Sequence, residues 1–173
     1  MIKLEDFKGV KIRGLNQLTD EALTTVGAAP SAMPGSEVYQ ALQSGVLDAG
    51  LTDLSAAYSR KFFEVQKYGT VSPYFTVYFH MFVNPKWWNS LKPEHRAALE
   101  AAAARSEREA VEVTEKTATD AIAQLREKGM TLHMQTAQEG LVWRAKMEQP
   151  VIDAFLKTAP EGGAKIIELL NKL

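Results

Sequence analysis

Val10-Lys11-Ile12-Arg13, with Gly9 before it and Gly14 after it, reads as a short strand bounded by glycine. Working outward, two further short runs follow at similar spacing and predict strands, Ser31-Ala32-Met33 and Val46-Leu47-Asp48-Ala49. Amphipathic segments separate these runs and predict helices over residues 19–26, 36–44 and 54–65. Strands that alternate with helices in this way are typical of βαβ units, so the sequence predicts an α/β fold with a mostly parallel sheet.

A run rich in Val, Tyr and Phe extends from Val71 to Val83 and predicts a strand longer than the usual length of about five to six residues. Such a strand can pass from one lobe of a protein into another or bend within one sheet, and both interpretations remain open. The longest helical pattern follows, from Pro93 to Lys128, with Gly129 ending it. At about 1.5 Å per residue this helix must kink, project or bridge two bodies.

The C-terminal part of the chain predicts one strand and two helices. Residues 130–134 alternate apolar and polar side chains, which favours a strand. Residues 136–156 are amphipathic, and we expect Pro150 to break or kink that helix. A loop at Pro160-Glu161-Gly162-Gly163 precedes a predicted terminal helix over residues 164–173.

The composition excludes several classes of function. The net charge of −1, from 20 basic and 21 acidic residues, provides no general attraction for nucleic acid or an anionic membrane. The chain has no cysteine, which excludes disulfides, thiolate nucleophiles and cysteine-based zinc sites. No apolar stretch reaches the roughly 18 residues of a membrane span, and no signal peptide is visible. We therefore expect either a cytoplasmic protein or a mature or truncated form.

Four segments, in their order and spacing, resemble one protein family. They are FKGVKIR at 7–13, GAAPSAMP at 27–34, SEVYQALQSGVLD at 36–48 and KFFEVQKY at 61–68. Together they are similar to the solute-binding proteins of tripartite ATP-independent periplasmic (TRAP) transporters, and the similarity extends to the C-terminus. Members of that family are usually near twice this length and begin with a full α/β lobe. The resemblance therefore implies a truncated form.

The resemblance implies a periplasmic-binding-protein-like fold, two-lobed and type II-like, of which this chain holds largely lobe II plus a long hinge-spanning helix. Residues 1–77 and 128–160 would form the ligand-binding lobe II. Residues 78–127 would be the crossing strand and long helix that pass through a mostly absent lobe I. Residues 161–173 would form a C-terminal helix.

Arg13 is the main candidate for ligand binding. It ends the first predicted strand, at the edge of a parallel sheet where α/β folds bind ligands. Its planar guanidinium can pair with a carboxylate through two parallel hydrogen bonds. From the residues alone, a surface or interlobe salt bridge remains an alternative role. In TRAP receptors an arginine in the matching KIR segment holds the ligand's carboxylate, so the resemblance implies this role for Arg13.

Five further residues are candidates for the same site. Asn16 can reach polar ligand groups, or serve as a turn residue before the helix. Thr52 stands where many relatives carry an asparagine that contacts the carboxylate, and its hydroxyl can still donate one hydrogen bond. Gly35 stands where several relatives carry an aromatic residue, which leaves space for a bulkier ligand or for a side chain supplied from elsewhere. Tyr74 and Phe75 can fill that space, or can be ordinary core aromatics.

Sequence signatures of catalysis are missing. His80, His95 and His133 are scattered and lack the spacing of a metal site. There is no P-loop, nucleophile elbow or dinucleotide-binding fingerprint. We therefore expect no enzyme activity, no cofactor and no metal, with a small α/β enzyme of unrecognised type as a third option.

The leading hypothesis is an extracytoplasmic solute receptor located in the periplasm. It would clamp a small organic carboxylate, such as a dicarboxylate, at Arg13 between two closing lobes. It would then deliver the ligand to the membrane subunits of a TRAP-type transporter. The alternative is a self-associating interaction or assembly module, in which the long alanine-rich helix mediates a homodimer and ligand binding has been lost.

Overall fold

The structure is a computed structural model, and it describes residues 1–75, 77 and 79–172. Its described part combines seven α-helices with a three-stranded and a two-stranded sheet, and the strand pairs in both sheets are parallel. This confirms the α/β class expected from the sequence. None of the helices in these residues has the length and apolar character needed to cross a membrane.

The first sheet is built around the KIR strand. β1 (Lys11–Gly14) lies between β2 (Ala29–Ala32) and β3 (Ala49–Gly50), and both neighbours run parallel to it. Ile12 is buried beneath the sheet, whereas Arg13 is half-buried and pairs in register with Gly50. The predicted strands at 31–33 and 46–49 are therefore present, with their bounds displaced by a few residues.

Three short helices accompany this sheet: α1 (Gln17–Thr25), α2 (Val38–Gln43) and α3 (Leu54–Ser59). α1 begins two residues before the predicted start because Asn16, not Thr19, caps it. α3 ends well before the predicted residue 65. Lys61 adopts a left-handed conformation with φ of 57°, and a 3-10 turn follows at Phe62–Glu64.

The second sheet contains only two strands. β4 (Tyr68–Val71) pairs in parallel with β5 (Thr131–Met134). The prediction of one long strand over residues 71–83 is wrong, because residues 72–75, 77 and 79–83 form no strand. Two members of that predicted strand, Thr76 and Tyr78, lie outside the described residues.

A short helix that the sequence did not predict, α4 (Pro85–Ser90), leads into the long helix α5 (Pro93–Glu127). α5 has 35 residues, one fewer than predicted, and it ends before Gly129, whose φ of 90° favours glycine. Near its C-terminal end Leu125 is 1% exposed, but earlier in the helix Val113 is 60% exposed. The helix therefore projects beyond the core that anchors its end.

The chain ends in α6 (Ala137–Thr158) and α7 (Gly163–Leu170). Of the two effects expected at Pro150, a break is wrong, because α6 continues through that residue, and a kink stays a prediction. Met147 before the proline and Val151 after it both pack against the same core. This packing on both sides holds the helix together despite a proline cost of about 3 kcal/mol.

Two apolar clusters support the first sheet. In one, Phe7 and Trp143 meet edge to face at 5.0 Å between ring centroids, and Trp143 Nε1 donates to the carbonyl of Ile2 at 3.0 Å. This cluster joins α6 to β1 and α1. The other cluster lies under α2 and consists of Val38, Ala41, Leu42, Leu47 and Phe62. Together they fix the sheet edge that carries Arg13.

Candidate functional site

Arg13 is held at the C-terminal edge of the first sheet by the chain on both sides of β1. Its Nε donates to the carbonyl oxygen of Met33 at 3.3 Å, just beyond β2. Its Nη1 donates to the carbonyl oxygen of Leu51 at 2.8 Å, just beyond β3. Burial, together with the nearby charge of Arg60, lowers the pKa of Arg13, although a guanidinium remains protonated in proteins. The side chain is a fixed, oriented cation.

Thr52 and Asp53 follow Leu51 at the same edge. Thr52 is half-buried and lines the cleft described below. Asp53 caps α3, since its Oδ1 accepts from the backbone N–H of Ala56 at 2.8 Å and from the hydroxyl of Ser55 at 2.5 Å. Burial raises the pKa of Asp53, but these hydrogen bonds and the charge of Arg60 outweigh it and the net pKa is lowered.

Arg60 follows the last residue of α3, and its guanidinium lies against Gly35. The three atoms nearest to a Cβ built on Gly35 all belong to this guanidinium, each closer than 3.0 Å. The space beside Gly35 is therefore filled by a side chain from another part of the chain. This was one of the two expectations for this position, and the other was a bulkier ligand. That side chain is Arg60, and not Tyr74 or Phe75.

A cleft of about 980 Å³ opens between the first sheet, the second sheet and α5. Four of the six candidate residues line it, namely Arg13, Thr52, Tyr74 and Phe75, and Arg60 lines it with them. Its walls otherwise combine apolar side chains with several hydroxyls, the amide of Gln66 and the carboxylate of Asp53, a composition common in small-molecule sites.

Tyr74 is a polar group of this cleft that is held between aromatic rings. Its ring contacts Trp143 and Phe75 edge to face, with centroids 6.2 and 6.0 Å apart. Its hydroxyl is buried and has no hydrogen-bond partner among the described residues. Burial, with a contribution from Asp20, raises the pKa of Tyr74 to about 12. A buried hydroxyl without a partner is unfavourable and marks a place where a ligand atom can bind.

Asn16 and Gly35 are not lining residues of this cleft. The Oδ1 of Asn16 accepts from the N–H groups of Leu18 and Thr19 at 3.0 and 3.1 Å, which is the role of a helix cap. Asn16 lines a second cleft of about 990 Å³, on the α6 side of Tyr74. Gly35 borders the main cleft only through Arg60.

Arg60 was not among the candidate residues predicted from the sequence. It lies between two segments of the TRAP resemblance, at the end of a helix that was predicted to continue. Only the early end of α3 and the fold of the β2–α2 turn bring it to Gly35. Within the part of the chain that the structure describes, no group of three His, Asp or Glu side chains is arranged to bind a metal ion.

The chain matches the family model for bacterial extracellular solute-binding proteins, family 7, over residues 1–158. Among curated proteins, it is 36% identical over 141 residues to the C4-dicarboxylate-binding periplasmic protein DctP of Rhodobacter capsulatus, covering 80% of this chain and 42% of that protein. It is 28% identical over 158 residues to the 2,3-diketo-L-gulonate-binding periplasmic protein YiaO of Escherichia coli, covering 91% of this chain and 48% of that protein. The chain thus spans about half the length of these relatives.

Solved structures of TRAP periplasmic solute-binding proteins share the fold. One from Desulfovibrio salexigens, with bound orotic acid, superposes with a TM-score of 0.83 at 24% identity, covering 99% of this chain and 56% of that one. One from Chromohalobacter salexigens, with bound D-glucuronate, also gives a TM-score of 0.83, at 22% identity and coverages of 100% and 57%. At these identities the likeness shows the fold, which is the periplasmic-binding-protein-like fold that the resemblance implied.

Proposed function

The chain belongs to bacterial extracellular solute-binding protein family 7, and from this premise we propose that it captures a small organic carboxylate at Arg13 for a TRAP-type transporter. The observation that carries the proposal is the state of Arg13. It is fixed at the sheet edge, it lines the cleft, and no carboxylate among the described residues forms an ion pair with it. The charges of Asp20 and Asp53 act on Arg13 from beyond ion-pair distance, and they leave its outward N–H groups free among the described residues. An oriented cation of this kind is suited to an anionic ligand.

The proposed binding mode uses the part of the guanidinium that the protein leaves open. Arginine has five N–H groups, and the carbonyls of Met33 and Leu51 take one from Nε and one from Nη1. The remaining N–H groups can form the paired hydrogen bonds that a carboxylate accepts. The hydroxyls of Thr52 and Tyr74 would donate to further ligand oxygens, and Phe75 would cover an apolar part of the ligand.

Closure of two lobes around the ligand is part of the proposal. Residues 1–77 and 128–160 would act as one ligand-binding lobe, which is supported by the β4–β5 pairing and by the contact of Trp143 with Phe7. Residues 78–127 would link this lobe to the rest of the receptor, and residues 161–173 would form the C-terminal helix. Leu173 of that last range lies outside the described residues. The projecting part of α5 is consistent with such a link.

The proposed location is the periplasm and the proposed partners are the membrane subunits of the transporter, by analogy with the periplasmic relatives. Proteins of this kind bind their substrates and release them unchanged, so catalysis forms no part of the proposal. Neither the family match nor the relatives support the alternative of a self-associating assembly module.

A thermal-shift screen tests the proposal. The parent chain, Arg13→Ala and Arg105→Ala would each be heated with millimolar succinate, D-glucuronate or orotate. Arg105 is the matched control because it forms an exposed ion pair with Glu109 on α5 and lines neither cleft. At least one acid should raise the melting temperature of the parent and of Arg105→Ala by about 2 °C or more, and leave Arg13→Ala unchanged. Equal shifts for Arg13→Ala, or no shift with any acid, would contradict the proposal.

A further inference from the structure

Gly35 and Arg60 form a spatial pair that is distinct from the Arg13 clamp. The φ of Gly35 lies outside the left-handed region, so its backbone does not require glycine. The requirement is space, because a Cβ at this position would collide with the Arg60 guanidinium. A larger residue at position 35 would therefore displace the Arg60 guanidinium, which is the end of a flexible and exposed side chain.

Arg60 brings a second positive charge to the cleft that contains Arg13. Both side chains line it, and the charge of Arg60 contributes to the lowered pKa of Arg13. Two cations in one cleft repel each other unless an anion lies nearby. Asp53 lines the same cleft, and its charge acts on both Arg13 and Arg60. It forms no ion pair with Arg60 within the described part of the chain, and it sets one negative charge against two guanidinium charges, so it compensates them only in part.

We infer that Arg60 is a specificity-determining residue of this site, which contacts a second anionic group of the ligand while Arg13 holds the first. The inference rests on the proposed function, because it assigns a further contact to the same ligand. Gly35 contributes to this contact because it has no side chain, which leaves room for the Arg60 guanidinium at the cleft. The preferred ligand is then a small acid with two negative groups in place of one.

The exposure of Arg60 sets the size of the expected effect. An exposed charge pair is worth little, whereas a charge-assisted hydrogen bond to a ligand is worth more. Removing the Arg60 charge should therefore weaken binding of a doubly charged acid by about three- to tenfold. Binding of a singly charged acid should change by less than about twofold, since that acid contacts Arg13 alone.

Arginine side-chain NMR tests this directly, because the Nε–Hε signals report even millimolar binding at each guanidinium. Two pairs of acids that differ in one carboxylate serve as probes, succinate with butyrate and phthalate with benzoate. The proteins are the parent, Arg60→Gln, Arg13→Gln and Gly35→Ala. The signal of Arg105, which is paired with Glu109 and lines neither cleft, is the internal control.

The diacids should shift both the Arg13 and the Arg60 signals of the parent, and the monoacids only that of Arg13. Arg60→Gln should remove the preference for the diacid and keep monoacid binding. Gly35→Ala, which displaces the guanidinium without removing its charge, should weaken the preference in the same direction. Arg13→Gln should weaken both kinds of acid.

Three results would contradict the inference. Equal affinity of the parent for the two members of each pair would overturn it and leave the proposed function standing. Arg60→Gln losing monoacid and diacid binding to the same extent would make Arg60 a structural residue. If no acid shifts the Arg13 signal of the parent, the proposed function fails, and the inference that rests on it fails too.

Discussion

Arg13 and Leu51 are joined twice across the first sheet. Nη1 of Arg13 donates to the carbonyl oxygen of Leu51 at 2.8 Å, and the N–H of Leu51 donates to the carbonyl oxygen of Arg13 at 3.0 Å. The guanidinium is therefore fixed by the same residue that continues the strand pairing of β1 with β3. Thr52, the next residue, is positioned relative to Arg13 by this double link.

Substituting Arg13 with lysine tests whether orientation matters beyond charge. Lysine keeps the positive charge but has no planar fork, so it cannot donate both to Leu51 and in parallel to a carboxylate. We expect Arg13→Lys to lower the affinity for the bound acid by tenfold or more, which corresponds to about 1.4 kcal/mol. Isothermal titration calorimetry measures this. Arg105→Lys is the control, and an Arg13→Lys affinity within twofold of the parent would show that charge alone is sufficient.

The fold class followed from the sequence because the strand and helix signals of residues 9–65 are local. Gly9 and Gly14 bound β1, and the alternation of short strands with helices leaves a parallel sheet as the simple solution. The end of α5 was equally local, since Gly129 takes a left-handed conformation there.

The predicted strand over residues 71–83 was wrong because its formation depends on tertiary packing and not on local sequence. Phe79 and Phe82 are 94% and 86% exposed, so no sheet surface covers their side chains. Strand propensity describes how well a side chain fits such a surface.

The candidate site was predictable only in part for the same reason. Arg13 was a candidate because it ends a predicted strand and matches the KIR segment of the TRAP resemblance, and Thr52 was one because it matches a family asparagine position. The structure places Arg13 in β1 and Thr52 just beyond β3, at one edge of the same sheet. Asn16 turned out to cap α1 through Oδ1, which was the other role considered for it. Arg60 escaped prediction because its position depends on α3 ending early and on the turn at Gly35, more than twenty residues away in sequence. No local pattern encodes that approach.

Trp143 should be the most sensitive tryptophan in the chain. It is 8% exposed, meets Phe7 edge to face and donates to the carbonyl of Ile2. Trp143→Leu would leave a cavity and an unpaired carbonyl, so we expect the free energy of unfolding to fall by about 3 kcal/mol. Urea denaturation measures this. Trp87, which is 46% exposed, is the matched control, and Trp87→Leu should change stability by less than about 0.5 kcal/mol. Similar losses for both variants would contradict the assignment of Trp143 to the core.

Glu139 should make the stability of the chain depend on acid pH. Its Oε2 accepts from the N–H of Thr136 at 2.8 Å and lies 2.9 Å from Nε2 of His133. The Thr136 hydrogen bond, followed by that to His133, lowers the pKa of Glu139 below its ordinary value of 4.5. The carboxylate therefore contributes stability above that ordinary value, and the contribution is lost as pH falls through the lower pKa of the folded state.

Glu139→Gln should accordingly lower the melting temperature at pH 7, and the difference from the parent should shrink progressively as the pH falls below 4.5 toward 3. A series of thermal melts between pH 7 and pH 3 measures the difference. Glu161→Gln, in the exposed loop before α7, is the control and should shift the curve little at any pH. A constant difference in melting temperature between parent and Glu139→Gln across the series would mean that the charge of Glu139 is not responsible for its contribution to stability.

Tyr74 should show opposite effects on stability and on binding when its hydroxyl is removed. The hydroxyl is buried without a partner among the described residues, so Tyr74→Phe relieves an unfavourable burial. The ligand-free chain should then gain about 1 kcal/mol of unfolding free energy. If the hydroxyl donates to the ligand, the same variant should bind the acid about three- to tenfold more weakly.

Tyr39→Phe is the control for this prediction. The exposed hydroxyl of Tyr39 donates to Glu64 at 2.7 Å, away from the cleft, so stability should not rise and affinity should not change. A stability loss in Tyr74→Phe would mean that its hydroxyl has a partner without ligand, and unchanged affinity would remove Tyr74 from the proposed site. Gain of stability with loss of affinity is the pattern expected of a residue kept for binding at the expense of the fold.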